Sequence, residues 1–333
     1  MAAVPKPLVK LSIDGRDVTA DLDPHHLAIT YEDKLHGEAD ELEVELRDDL
    51  GLWRGPWRPE HGTIVEAWFG YKGRPLMPAG RFEVDEPEAA GGRDGDTLTF
   101  RALSAAVTSA LRTKRTKAYE NQPLSAIAGE VAGRNGLAVV GPIDDVAFAR
   151  VTQRRERDLQ FLQRLSEDSG HYFTVKGQSC VFTSRASVAG AASVRTFDLA
   201  PGSGITTWRL REPTHRTYSK AKVQYLDPAK KQLITVEAED LRVATGDTLN
   251  LDERVEDEAQ ARRLASSRLA AANDGAKAGW ISLVGDETLV AGQVVTLGGT
   301  FGKYAGRWLI QSSRHRFTRG GYTTDIELKG ADE

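Results

Sequence analysis

The chain has 333 residues, 40% hydrophobic and 28% charged, with a formal net charge of −4. That balance suits two or three soluble domains and argues against a protein whose whole surface tracks nucleic acid or an acidic membrane. The single cysteine, Cys180, excludes an intrachain disulfide, and no apolar run approaches the length of a membrane-crossing helix.

The opening MAAVPKPLVKLSIDG lacks the charged-then-apolar pattern of a secretory signal, so folding in a cytoplasm is expected. LVKLSIDGRDVT reads as strand, Asp-Gly turn and strand. In ADELEVELRDD, Leu42, Val44 and Leu46 alternate with Glu41, Glu43, Glu45 and Arg47, which predicts a strand with one dry and one wet face. GLWRGPWRPEHG is a Gly/Pro-rich connector carrying Trp53 and Trp57. TIVEAWFGY, GRFEVDEPEAA and RDGDTLTFRAL follow as strands. Short strands at this spacing predict an antiparallel barrel or sandwich over residues 1–103. Trp68 is expected in its core, and Trp53 and Trp57 are candidate interface anchors.

Residues 104–200 read as a small α+β domain. SAAVTSALRTK is expected as a short helix and NQPLSAIAGEVAGRNG as a longer one. In the longer helix Pro123 stands early, Leu124, Ile127, Ala128 and Val131 form a stripe, and Asn135-Gly136 closes the C-terminus. RRERDLQFLQRLSED is a second helix, with Leu159, Leu162 and Leu165 on its stripe and Phe161 beside it. HYFTVKGQSCVFTS reads as a hairpin, with Cys180 a buried apolar residue.

FDLAPGSG marks a boundary, and residues 201–333 return to β structure. TYSKAKVQYLDPAKKQLITVEAED is a hairpin turning at Asp227-Pro228. VEDEAQARRLASSRLAAAND is a helix with acidic residues leading and Ala261, Leu264, Ala265 and Leu269 along one side. GWISLVGDETLVAGQVVTLGGT gives two strands around a turn, and RWLIQSSRHRFTRGGYTTDIELKG a closing hairpin. The fold class is mainly β with an α+β insertion: two antiparallel β-barrel domains flanking a small α+β domain.

Catalytic and binding motifs are absent from the sequence. Asp21, Asp23, His25 and His26 stand together, but adjacent strand residues point to opposite faces, so a polar turn is expected there rather than a metal site. No G-x-S-x-G elbow, phosphate-cradling glycine loop or HExxH occurs. The one dense basic run is Arg112, Lys114, Arg115 and Lys117, with Arg154, Arg155 and Arg157 a weaker one. A solvated loop or an acidic neighbour is the expected reading of that patch.

Four stretches together resemble the late control D family of tailed bacteriophages, the baseplate hub or tail hub proteins. They are WRPEHGTIVEAWFGY with GRFEVDEPE, AYENQPLSAIAGEVAGRNGL, RRERDLQFLQRLSEDSGHYFTVKGQSCVF, and GDETLVAGQVVTLGG with RHRFTRGGYTTDIELKG. The resemblance spans nearly the whole chain. It implies two tail-tube-like β-barrel domains per subunit and a homotrimer whose pseudo-sixfold ring joins a hexameric tail tube protein to a trimeric tail spike protein, with no catalysis. The implied place is the tail or baseplate of a virion or related contractile particle, assembled in the host cytoplasm. The implied further partners are other baseplate proteins and the tape measure protein. No cofactor, metal, catalytic residue or membrane anchor is implied, and passing DNA would be held weakly if at all.

On this reading the last hairpin is a wall of the second barrel, with Tyr322, Thr324, Ile326 and Leu328 on one face and a bulge near Ser312-Ser313. Arg314, His315 and Arg316 join the tryptophans as candidate interface residues, with His315 packing or hydrogen-bonding at an edge. The alternatives are a hub that degrades peptidoglycan, as some tail tips do, and a channel protein that contacts DNA through residues 112–117.

Overall fold

The computed structural model describes residues 5–104, 113–144, 146–212, 217–227, 230–243, 246–253, 255–274 and 276–331. The first β unit runs through β1 (Pro7–Ile13), β2 (Arg16–Asp17), a single turn α1 (Thr19–Leu22), β3 (His26–Lys34), β4 (Glu41–Arg47), β5 (Ile64–Tyr71), β6 (Met77–Gly92) and β7 (Gly95–Ser104). Its strands pair antiparallel in the order β3-β4-β7-β6-β5-β1-β2. The alternation of β4 works as read: Leu42, Val44 and Leu46 are fully buried, and the glutamates between them face outward. Phe69, Phe82 and Phe100 fill the same core from neighbouring strands. Trp68 corrects the expectation. It lies between inward-facing Ala67 and Phe69, so strand parity turns it outward, where the Lys10 ammonium sits 5.3 Å from its ring centroid.

The middle segment contains β8 (Lys114–Pro123), α2 (Leu124–Gly133), β9 (Ala138–Val140), β10 (Ala147–Arg157), α3 (Asp158–Asp168), β11 (His171–Lys176), β12 (Ser179–Ser184) and the short α4 (Arg185–Ala189). β8 and β10 form a two-stranded antiparallel ribbon, and β9 joins the β11–β12 hairpin in parallel. Leu124, Ile127, Ala128 and Val131 of α2 pack with Phe161, Leu162 and Leu165 of α3 against this layer. Three expectations change here. Lys114–Lys117 is strand rather than loop, because its partners, from Gln153 to Arg157, lie too far along the sequence for a local reading to see. The RRER stretch is strand too, and α3 begins at Asp158. Pro123 ends β8 and caps α2 instead of lying inside the helix. The helix expected at 104–114 falls, over residues 105–112, outside the described residues.

The last part contains β13 (Ser193–Phe197), β14 (Ile205–Arg211), β15 (Tyr218–Asp227), β16 (Gln232–Glu239), β17 (Asp247–Leu251), α5 (Glu258–Asn273), β18 (Ala278–Val284), β19 (Val294–Leu297), β20 (Gly306–Thr318) and β21 (Gly321–Gly330). A second β unit takes β13, β14 and β18 to β21, with Phe197, Ile281, Trp308, Ile310 and Ile326 in its core. Because Phe197 sits in that core, the unit draws on residues before 201. β18 and β19 do not pair with each other: β18 lies between β14 and β21, and β19 pairs with β20 and, in parallel, with β13. The expected inserted helix, α5, brings its own sheet. Strands β16-β15-β17 form a separate layer whose core is Val223, Val236, Leu264, Ala265 and Leu269.

The closing hairpin belongs to both β units rather than to the second alone. β20 pairs with β19 through Leu309 and Trp308, then with β3 from Ser312 to Thr318. Ile310, Ile326 and Leu328 therefore sit in the second core, while Phe317 and Tyr322 sit in the first. A bulge between Ile310 and Ser312 resets the side-chain parity at the crossing point. The outcome is one continuous sheet of the order β14-β18-β21-β20-β3-β4-β7-β6-β5-β1-β2.

Candidate assembly surfaces and the polar junction

The connector that carries the two tryptophans is folded back by the buried carboxylate of Asp48, which accepts from the backbone N–H of Trp53 at 2.8 Å and of Arg54 at 3.0 Å. This places the Trp53 indole inward, 3% exposed, and removes it from the surface candidates. Trp57 packs edge-on against it, centroids 5.3 Å apart, and remains 46% exposed. Of the two, Trp57 alone offers an apolar face to a partner.

Strand parity separates the hairpin candidates in the same way. Arg314 and Arg316 face outward. Arg314 is held by Glu32 on β3 at 2.9 Å, whereas Arg316 is exposed and makes no ion pair among the described residues. His315, between them, is fully buried on a central strand, not at an edge. Its Nδ1 accepts from the Tyr322 hydroxyl at 2.7 Å. Its Nε2 stands 3.0 Å from both the Leu289 carbonyl and Ser313 Oγ. These bonds fit a neutral ring protonated at Nε2. Burial pushes its pKa down to about 4. The Ser313–His315 contact has no carboxylate orienting it. Ser313 donates its own proton to the Leu289 carbonyl, and both residues are sealed from solvent, so the pair fills the core rather than forming a nucleophile.

A second polar cluster was invisible in the sequence because its members are 143 residues apart. Asp33 and Asp40, each almost wholly buried in the first β unit, face the Lys176 ammonium at the end of β11. Asp33 also accepts from the backbone N–H of Ala291 at 2.8 Å, and Asp40 from Lys34 N–H at 3.0 Å and Tyr31 O–H at 3.3 Å. One cluster thus ties the first β unit, the middle segment and the second β unit together. Burial raises the pKa of Asp40, and the Lys176 charge opposes that rise. Removing the ammonium by Lys176→Met leaves two buried carboxylates facing each other. A loss of about 2 kcal/mol is expected in chemical denaturation, below the 3–5 kcal/mol of a fully buried pair because the lysine still meets solvent. A second change, Asp40→Asn, should recover part of it. A Lys176→Met chain as stable as wild type would remove the cluster from the forces holding the three parts.

The two basic runs come together on the β8–β10 ribbon, where Lys114 pairs in register with Arg157 and Thr116 with Arg154. Arg115 and Lys117 lie on the opposite face of the ribbon and, though still exposed, meet carboxylates: Arg115 lies 3.7 Å from buried Asp158, and Lys117 pairs with Glu130 and lies over the Tyr119 ring. Arg112 lies outside the described residues. Sequence reading also missed exposed apolar side chains at strand tips and sheet edges. Leu226 and Leu233 are cross-strand partners near the tip of the β15–β16 hairpin, 64% and 63% exposed. Trp208 and Trp280 lie at the β14 edge, 42% and 39% exposed. Alternation predicts which residues share a face but not which face stays uncovered.

Among the described residues no group of His, Cys, Asp and Glu could hold a metal ion, and no helix is long and apolar enough to cross a membrane. Cys180 is buried, which pushes its thiol up to about 12, far from a reactive thiolate.

A family model described as phage tail baseplate hub (GPD) matches residues 80–321. The chain is 33% identical over 177 residues to the probable baseplate hub protein of Escherichia phage P2, covering 52% of this chain and 44% of that protein. It therefore spans about half the length of this curated relative. Two solved tail proteins share the fold over almost the full length of both chains. A 43 kDa tail protein of prophage MuSo2 from Shewanella oneidensis has a TM-score of 0.72 at 16% identity, covering 97% of this chain and 98% of that one. A tail protein from Neisseria meningitidis MC58 has a TM-score of 0.76 at 12% identity, covering 98% and 97%.

Proposed function

Because the chain belongs to the phage tail baseplate hub family, we propose that it is a structural hub, a homotrimer that joins a hexameric tail tube to a trimeric spike. The observation that carries this reading is the β20–β3 pairing, which sets two β units, each with its own core, side by side in one sheet. Three such chains around a threefold axis present six β units, a match to sixfold symmetry on one side and threefold on the other. The work of such a protein is geometric, and no bond is made or broken. The division we propose is a first β domain to residue 103, a middle domain to about 200 whose last strand, β13, is lent to the second β unit, and a second β domain beyond it. Trp57, Arg316 and the Leu226–Leu233 tip are the contacts we propose for neighbouring subunits, spike, tube, other baseplate proteins or tape measure protein. The particle is assembled in the host cytoplasm and the protein stays in the tail baseplate.

Native mass measurement of the purified chain, alone and mixed with candidate spike proteins, tests the reading together with electron-microscopic class averages. Trimers with a threefold or near-sixfold ring are expected. A chain that stays monomeric with every spike, or a zymogram showing cell-wall lysis abolished by one Asp or Glu substitution, would overturn it.

A further inference from the structure

A bulge in β10 sorts charge between the two faces of the β8–β10 ribbon. Gln153 is fully buried on the inner face, and simple alternation from there would turn Arg157 inward and Glu156 outward. The register instead slips between Arg154 and Glu156. Arg155 is the extra residue, with φ +51° and its N–H donated to Thr116 Oγ1 at 3.3 Å. The slip sends Glu156 inward, where both its oxygens accept from Arg164 at 3.0 Å, and brings Arg157 to the outer face beside Arg154 and Lys114.

The outer face that results is cationic and apolar-poor. Lys114, Arg154, Arg155 and Arg157 are exposed and make no ion pair among the described residues, in a chain whose net charge is −4. Between them stand Thr116, Thr152 and Ala118, with Glu120 held by Arg150 at 3.8 Å at the far end. Among the described residues, those that share this face from Lys114 to Glu120 and from Arg150 to Arg157 carry no aromatic or large aliphatic side chain to anchor a protein partner or to stack on unpaired bases; beyond Arg150 the face gives way to buried Phe148 and a cleft that also holds Asp252, Glu253 and Glu256.

We propose that this face binds the sugar-phosphate backbone of double-stranded nucleic acid through Lys114, Arg154, Arg155 and Arg157, without reading sequence. The site differs from the one that the basic run alone suggests, since Arg115 and Lys117 are committed to Asp158 and Glu130. It does not rest on the trimeric hub reading.

The test is fluorescence anisotropy of the full chain with a mixed-sequence DNA duplex and a single strand of the same length, from low to physiological salt. The duplex is expected to bind at least as tightly as the single strand, with log affinity falling against log salt at a slope of about −3.6 for four phosphates neutralised. Changing Lys114, Arg154, Arg155 and Arg157 together to Gln should weaken binding at least tenfold and flatten the slope. Exchanging Lys and Arg at the same four positions should preserve both. Neutralising Lys72, Arg74, Arg93 and Lys303 elsewhere should change neither, and thermal melts verify that every variant is folded. No salt-dependent duplex binding by wild type, equal loss in the control variant, or a marked preference for the single strand would overturn the proposal. So would a ribbon variant that loses trimers while wild type ignores DNA, which would make the face a protein contact.

Discussion

Replacing Gly285 with alanine is expected to destabilise the chain by at least about 3 kcal/mol, at the upper end of what overpacking costs. A Cβ at this position would lie 2.0 Å from the Tyr322 ring, a distance no side-chain adjustment tolerates. The ring cannot easily give way. It stacks on Phe317 with centroids 4.0 Å apart, and its hydroxyl is spent on His315. The Gly285 carbonyl also accepts from Tyr71 O–H of the first β unit at 2.6 Å, so backbone retreat would break a bond across the junction. Calorimetric and urea unfolding of Gly285→Ala, Tyr322→Leu and the double variant form the check. The smaller ring-free side chain should relieve much of the clash, so the two effects should be far from additive. A Gly285→Ala chain within 1 kcal/mol of wild type would show that the two β units do not meet as closely as described.

Acid should weaken the same junction through His315. Its folded pKa of about 4 lies below the ordinary 6.5 because burial disfavours the charged ring, with the Leu289 carbonyl and the charges of Asp33, Asp286 and Asp325 only partly offsetting this. The unfolded chain takes up a proton below pH 6.5 that the folded chain refuses. The stability is therefore whole above 6.5 and lost as pH falls toward 4. The gap of 2.5 units, 6.5 minus 4, is worth about 3 kcal/mol at about 1.36 kcal/mol per unit. Urea midpoints of wild type and His315→Gln between pH 7 and 4 isolate this share from that of the carboxylates. Glutamine keeps an acceptor and a donor but does not titrate in this range. The wild-type curve should fall more steeply, and parallel curves would mean that His315 is not buried neutral.

The elements differed in how openly the sequence carried them. β4, α2, α5 and the β11–β12 hairpin were legible because a side chain's face follows from its own alternation or stripe. The mainly β class and the family resemblance followed from such stretches in order. β8 was not legible, since LysArgThrLys has no apolar alternation and becomes strand only by pairing with β10. The bulge at Arg155 and the crossing of β20 were equally hidden, because register depends on a partner strand.

The candidate surface residues show the same division. The sequence selected Trp53, Trp57, Arg314, His315 and Arg316 by residue type. Tertiary structure buried Trp53 and His315, paired Arg314 with Glu32 and left Trp57 and Arg316 outside. Local chemistry and periodicity determined the strongly patterned helices and strands, such as β4, α2 and α5, and which side of each was dry, but not β8, the RRER end of β10 or the outward turn of Trp68. Which strands met, and so which charges were neutralised and which were left facing outward, rested on contacts between residues as far apart as Asp33 and Ala291. Such contacts depend on shape and register across the whole sheet, which no local window contains.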